Sequence, residues 1–159
     1  MTESKTMPAP LQTIVDDFAF VDRPERAELL IEAADRFREV PERISSRPFP
    51  EEHHVQKCES DAYVWWEDLP DGTLKFYFAV ENPQGLSAKS WAVIMDETLS
   101  GQPLESVAAV SCDVVFDIYG KDLSMGKGQG LMGITDMVTA AARRKLMAQK
   151  LAEAKAKAE

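Results

Sequence analysis

Cysteine is scarce in this chain: there are two, Cys58 and Cys112, among 159 residues. Two cysteines cannot build a disulfide framework or a four-cysteine zinc site, and cannot ligate an iron–sulfur cluster alone. Histidine is equally rare, and its two copies are adjacent, His53-His54. With Cys58, Glu51 and Asp61 they match no standard zinc spacing, and they read as solvated loop histidines. Long apolar runs are missing too. Ala88–Met95, among the longest, is interrupted by Lys89, whereas a spanning helix needs about 20 apolar residues. Met1–Pro10 is polar and contains proline but no apolar h-region, so no secretory leader is expected. Both cysteines are then expected as free thiols in a reducing, cytoplasmic setting. No internal repeat or long linker divides the chain, and 159 residues suit one domain with a full core. Residues 1–9 are expected to be disordered, and residues 152–159 to form a frayed basic helix end.

What is abundant is negative charge. Asp and Glu number 27 against 18 Lys and Arg, a net charge of −9. Residues 143–159 carry six bases and two acids, so everything before them carries −13. An acidic body repels phosphates, which argues against nucleic-acid binding. Bases at a helix C-terminus complement its dipole, so the basic tail reads as a solvated helix end.

Hydrophobic spacing outlines the elements. Leu11, Ile14, Val15 and Phe18 follow the i, i+3, i+4, i+7 pattern of an amphipathic helix. A second helix begins at Asp22, with Pro24 in its first turn and Glu25 completing a capping box. Its expected apolar face is Leu30, Ile31, Ala34 and Phe37, and Val40-Pro41 is expected to end it. Residues 41–57 read as a long loop holding Pro41, Pro48 and Pro50. Ala62–Leu69 and Thr73–Val80 are rich in β-formers and flank Pro70-Asp71-Gly72, which predicts a hairpin. Two strands alone are marginal, so the hairpin must lie on helices or gain a third strand. Ala88, Trp91, Ala92, Met95 and Leu99 mark a third helix. Pro103 opens a short one with Leu104, Val107 and Ala108 inward, and Val114–Tyr119 is an apolar stretch stopped by Gly120. Gly126-Lys127-Gly128-Gln129-Gly130 reads as a flexible lead-in to a last helix with the core stripe Leu131, Ile134, Val138, Ala142 and Leu146. The fold class is α+β, with several helices packed against a small antiparallel sheet.

The glycine patch is no phosphate cradle. Lys127 is followed by Gly128 rather than Ser or Thr, no strand precedes it, and a dinucleotide fingerprint would need glycine where Leu131 stands. The pairs Asp16-Asp17, Glu51-Glu52, Glu67-Asp68 and Asp96-Glu97 read as surface. The thiols remain. Cys112 lies among Ala- and Val-rich stretches and reads as structural. Cys58 has only polar neighbours, Gln56, Lys57, Glu59, Ser60 and Asp61, and stands where the long loop meets a strand. A thiol there can be presented to another molecule. A Cys–His pair formed with His53 or His54 stays open.

Val55-Gln56-Lys57-Cys58-Glu59-Ser60 resembles the cysteine segment of the SufE family, which typically reads Val-x-Gly-Cys-x-Ser. The order of features agrees over about residues 10–148: a helix ending near Val40-Pro41, an irregular loop with Arg47, the hairpin, a helix with Lys89, and Pro103 opening another. Lys127-x-Gln129-Gly130-Leu131 resembles the family's Arg-x-x-Gly-Leu before its last helix. There are departures: Lys57 stands at the family's usual glycine, Ala62-Tyr63 at its usual Val-Trp and Lys127 at its usual arginine. Glu81–Gly85 lacks the family's Gly-x-Ser-x-Ala, and Ser90 follows Lys89 where glycine is common. The resemblance implies one SufE-like domain over 1–159, with a fold like that of the iron–sulfur scaffold proteins of the IscU type. It implies Cys58 as sulfur acceptor from a cysteine desulfurase of the SufS type, with stimulation of that enzyme and delivery to a scaffold complex of the SufBCD type. No cofactor or metal of its own is implied, since pyridoxal phosphate belongs to the desulfurase. A cluster scaffold, a thiol-dependent redox enzyme and an interaction module with an incidental Cys58 are the alternatives, and oligomeric state is left open.

Overall fold

The structure, a computed structural model, describes residues 6–158. Of the segment 1–9, residues 1–5 lie outside the described residues, while Met7 packs on the core and Ala9 opens the first helix. Helices α1 (Ala9–Phe18) and α2 (Arg23–Asp35) precede the strands β1 (Ala62–Asp68) and β2 (Leu74–Val80). Four helices follow: α3 (Leu86–Leu99), α4 (Leu104–Ala108), α5 (Val114–Tyr119) and α6 (Met125–Ala158). The class is α+β, as the sequence pattern predicts. Among the described residues, no helix is long and apolar enough to cross a membrane.

The strands pair antiparallel in one unbroken register, from Ala62 opposite Val80 to Asp68 opposite Leu74. Asp71 secures the turn by accepting hydrogen bonds from the Thr73 amide (3.0 Å) and hydroxyl (2.5 Å). Side chains alternate between two faces, as the pleat requires. Val64, Phe76 and Phe78 join the main core with the helices, while Tyr63, Trp65, Tyr77 and Ala79 face the other way. That second face is covered by the long loop, through Val40, Ile44 and Phe49. Both faces are thus apolar, which explains a strand as hydrophobic as Tyr-Val-Trp-Trp without polar alternation. The loop is pinned by charge as well: Arg47 bridges Glu39 and Glu81, and Arg43 forks onto Glu67 at 2.6 and 3.0 Å.

Three expectations need correction. Helix α2 stops at Asp35, five residues before Val40. The Arg36 and Phe37 amides tighten onto Ala33 and Ala34, the chain then extends, and the Val40 amide donates to the Phe78 carbonyl at 2.8 Å on the outer edge of β2. Extended chain reaches that edge where helix would not. The buried face of α2 is Leu30 and Ala33, and Ile31 is 46% exposed. The glycine patch 126–130 is not a lead-in but the first turns of α6 itself. Asp22 caps α2, which is the Asp22 half of the predicted capping box: the Glu25 amide donates to the Asp22 carboxylate at 2.9 Å. The α6 side chains beyond Gln149 are all exposed while the backbone stays helical to Ala158.

Helix α3 is the centre of the core, with Trp91, Met95 and Leu99 fully buried. The Trp91 indole N–H donates to Thr135 Oγ1 of α6 at 2.9 Å, a buried bond locking the two helices together. Thr135→Val keeps the side-chain shape and orphans that N–H. It is expected to lower stability by about 1–3 kcal/mol in urea unfolding at an unchanged m-value. Trp91→Phe should then cost less in the Thr135→Val background than in the wild type.

Candidate functional site

Cys58 sits in a tight loop that extends the hairpin beyond its open end. The Val55 amide donates to the Ala62 carbonyl at 2.8 Å, and the Asp61 amide to the Cys58 carbonyl at 3.2 Å. Two residues of this loop have left-handed backbone: Lys57 at φ 63° and Asp61 at φ 49°. Side chains disfavour that region, so a glycine at position 57 is what sterics prefer. Lys57 stands where the Val-x-Gly-Cys-x-Ser pattern has glycine, and takes this left-handed conformation with its side chain in solvent.

The loop lies along one face of α6 from which side chains are missing. A Cβ on Gly133 would stand 2.8 Å from Val55 Cγ1, one on Gly130 3.3 Å from both Cys58 Cα and Sγ, and one on Gly126 2.7 Å from Glu59 Oε1. These glycines stand at i, i+4 and i+7, one side of the helix. From the other side Gly85 closes in, where a Cβ would meet Ser60 Cβ at 3.1 Å. Cys58 is half-buried as a result, and packs on the main core. A cavity of about 240 Å3 opens beside it, lined among others by Ser60, Asn82, Gln84, Ser87 and Lys127. One exposed apolar side chain, Leu86 at 45% exposure, lines this mouth.

The histidines are not solvated. His53 stacks on Trp65 with ring centroids 5.2 Å apart and donates from Nδ1 to the Val64 carbonyl at 2.8 Å. His54 packs on Tyr63 and reaches Glu51 at 3.1 Å and Asp61 at 3.2 Å. Both rings thus serve the loop and hairpin, and no bond joins either of them to Cys58 among the described residues. Nor does an aromatic side chain line the Cys58 cavity there; its half-burial comes from the α6 glycines instead. Among the described residues, no three His, Cys, Asp or Glu side chains stand close enough to hold a metal ion.

Cys112 faces another part of α6. Its thiol donates to Asp136 Oδ1 at 3.0 Å. Burial, reinforced by that carboxylate, pushes its pKa up to about 12. The protonated thiol is the stable form, so Cys112 is a poor nucleophile near neutrality. A larger cleft of about 380 Å3, between α3, β2 and the segment after α2, contains neither thiol. Its rim includes two ion pairs, Arg36–Glu97 at 2.9 Å and Lys75–Asp96 at 2.5 Å.

Fold and site together define an α+β domain that offers one thiol on a tight loop at its surface. The chain belongs to the SufE family: the model described as "SufE: Fe-S metabolism associated domain" matches residues 12–142. That membership assigns it to iron–sulfur metabolism. Relatives include an uncharacterized SufE-like protein of Mycobacterium tuberculosis, found in strains CDC 1551 / Oshkosh and H37Rv. In each, 26% of 113 residues are identical, covering 71% of this chain and 76% of the relative. The solution structure of a hypothetical protein from Thermus thermophilus shares the fold, with a TM-score of 0.69 at 22% identity. The match covers 89% of this chain and 99% of that one.

Three outcomes follow from this geometry. Lys57→Gly relieves a left-handed residue and is expected to raise stability by up to about 1 kcal/mol in thermal unfolding, less whatever glycine adds to unfolded-chain entropy. Iodoacetamide below about pH 10 should label Cys58 and spare Cys112, read by peptide mass mapping. Folding raises the Cys112 pKa, so that thiol contributes stability that is full below its unfolded value and is lost as pH rises toward about 12.

Proposed function

We propose that this protein accepts sulfur from a cysteine desulfurase onto Cys58 and passes it to an iron–sulfur cluster scaffold, stimulating the desulfurase by clearing its persulfide. The observation that carries this reading is the setting of Cys58: a single thiol on a surface loop, seated on the glycine face of α6 beside a small cavity. In the transfer, the Cys58 thiolate attacks the outer sulfur of the desulfurase persulfide. The sulfur–sulfur bond on the desulfurase breaks as a new one forms at Cys58. The electron pair stays on the desulfurase thiolate, so there is no net oxidation. The nascent persulfide is an anion of modest size, and the Ser, Asn, Gln and Lys groups of the cavity offer polar surroundings for it. Those hydroxyl, amide and ammonium groups are poor ligands for soft metal, which favours the relay over the scaffold alternative. The exposed Leu86 at the mouth offers apolar contact to a docking partner of the SufS type. Delivery to a SufBCD-type complex, and a cytoplasmic site of action, belong to the same proposal. Pyridoxal phosphate chemistry stays with the desulfurase.

The test is intact-protein mass after incubation with a cysteine desulfurase, pyridoxal phosphate and free cysteine in the absence of reductant. A reductant-labile gain of one sulfur atom is expected in the wild type and in Cys112→Ser, and none in Cys58→Ala. No gain with any of several desulfurases, on folded and reduced protein, would sink the acceptor reading and favour the interaction module.

A further inference from the structure

The cleft of about 380 Å3 beside α3 has the outer edge of β2 as its floor. Alternate residues of a strand turn their backbone groups to the same edge. On β2 the outward-turned residues are Leu74, Phe76 and Phe78. The Leu74 carbonyl accepts from the Gly101 amide at 2.9 Å, and the Phe76 amide donates to Ser100 Oγ at 3.0 Å. The Phe78 carbonyl accepts from the Val40 amide at 2.8 Å. Between these bonds lie the Phe76 carbonyl and the Phe78 N–H. No protein group meets either one among the described residues, although Phe76 and Phe78 are only 1% and 4% exposed. Backbone groups so enclosed nearly always have a partner. Both residues line the cleft, so a partner for them comes from the cleft.

These two groups define what the partner carries. The carbonyl takes a donor and the N–H an acceptor, on either side of Tyr77. That is the pairing the nitrogen and carboxyl of a single amino acid make with a strand edge. Ser100 and Val40 already occupy the edge at both ends, so a longer strand cannot continue along it. Charge follows the same polarity. At the Phe76 end stands Asp96, which accepts from Ser100 at 2.7 Å and from Lys75 at 2.5 Å, both through Oδ1. Its Oδ2 has no bond among the described residues. On the segment leading to Val40, at the Phe78 end, stands Arg38, exposed and unpaired among the described residues. Arg36 is already neutralised by its fork onto Glu97 at 2.9 and 3.0 Å. Between the ends the walls are apolar, through Phe37, Ala92 and Val93.

We propose that this cleft binds a free α-amino acid with an apolar side chain. Its ammonium donates to the Phe76 carbonyl beside Asp96, and its carboxylate accepts from the Phe78 N–H beside Arg38. An apolar pocket with a few polar groups that fix orientation is the usual form of a small-ligand site. The site lies apart from Cys58 and does not depend on sulfur transfer.

The test is an amide NMR titration of the whole chain with L-leucine, N-acetyl-L-leucine and L-leucinamide, which differ in one end charge each. L-leucine is expected to shift the Phe78 amide saturably, with a dissociation constant on the order of 1 mM, the level a few hydrogen bonds and exposed charges supply. The two end-blocked forms should bind at least about tenfold more weakly, since each leaves one end without its charged contact. Arg38→Ala should weaken L-leucine and leave L-leucinamide unchanged, because the amide has no carboxylate to lose. Hydrogen exchange of the free protein gives an independent reading. The Phe78 amide should exchange faster than those of Tyr77 and Ala79, which point toward β1, and L-leucine should slow it. No saturable shift by about tenfold above that concentration overturns the proposal. Equal binding of all three probes overturns it too, since the cleft would then read only the side chain. Tightest binding of N-acetyl-L-leucine also overturns it, in favour of a peptide C-terminus. If Arg38→Ala does not fold, the three probes on wild type decide alone.

Discussion

A loop can lie directly on a helix only where the helix has no side chains in its way. The face of α6 formed by Gly126, Gly130 and Gly133 meets that constraint, and the site depends on it. Without it, the segment from Val55 to Glu59 would stand several ångströms off, and the Cys58 thiol would be fully in solvent. Glycine is a poor helix former, worth about 1 kcal/mol less than alanine at each position. Helix α6 tolerates several in its early turns because Leu131, Ile134 and Val138 anchor the adjacent side in the core. The Trp91–Thr135 bond fixes the helix against α3, so the glycine face is presented at a set distance and angle.

The other wall of the site is the hairpin, and its stability explains the length of the loop before it. Two strands offer two apolar faces, and helices cover only one of them. Residues 40–54 cover the second, through Val40, Ile44 and Phe49, with Arg43 and Arg47 tied to carboxylates around them. Arg43 holds the Glu67 carboxyl below the ordinary carboxylate range, aided by the Tyr77 hydroxyl. The same loop ends at His54, whose bonds to Glu51 and Asp61 bracket the Cys58 turn. Covering the sheet and positioning the thiol are thus tasks of one continuous segment.

Much of this is legible from residue spacing. The hairpin, the buried stripe of α3, the cap of α2 and the core face of α6 follow directly from period and turn chemistry, because each depends on neighbours in sequence. Cys58 stands out by its polar surroundings. What is not legible depends on contacts between distant segments. Val40 lies at the edge of β2 because of a bond to Phe78, which no local pattern announces. The histidines have a polar-loop context in sequence but an aromatic one in space. The glycine patch misleads for a subtler reason. Glycine density suggests flexibility, yet the spacing 126, 130, 133 is a helix face, and a close approach of backbone is the other thing glycine permits. Position 57 shows the converse: the backbone there is left-handed although lysine stands in place of the usual glycine.

The two thiols differ in a way that bears on the chemistry. Under the proposed sulfur relay, a second reactive thiol in reach of Cys58 would be harmful, because attack on the inner sulfur would form a disulfide and release sulfide. This chain does have a second cysteine, and it also faces α6. Its environment disarms it. Asp136 accepts the Cys112 proton in a hydrogen bond, and burial disfavours the thiolate, so the group stays protonated well above neutral pH. Cys58 has no such partner among the described residues; its immediate neighbour on α6 is a glycine, which supplies contact and no charge. One helix thus presents a carboxylate to Cys112 and bare backbone to Cys58. The contrast rests on what stands at positions 136 and 130. It requires no difference in fold around the two cysteines, only in the side chain each one meets.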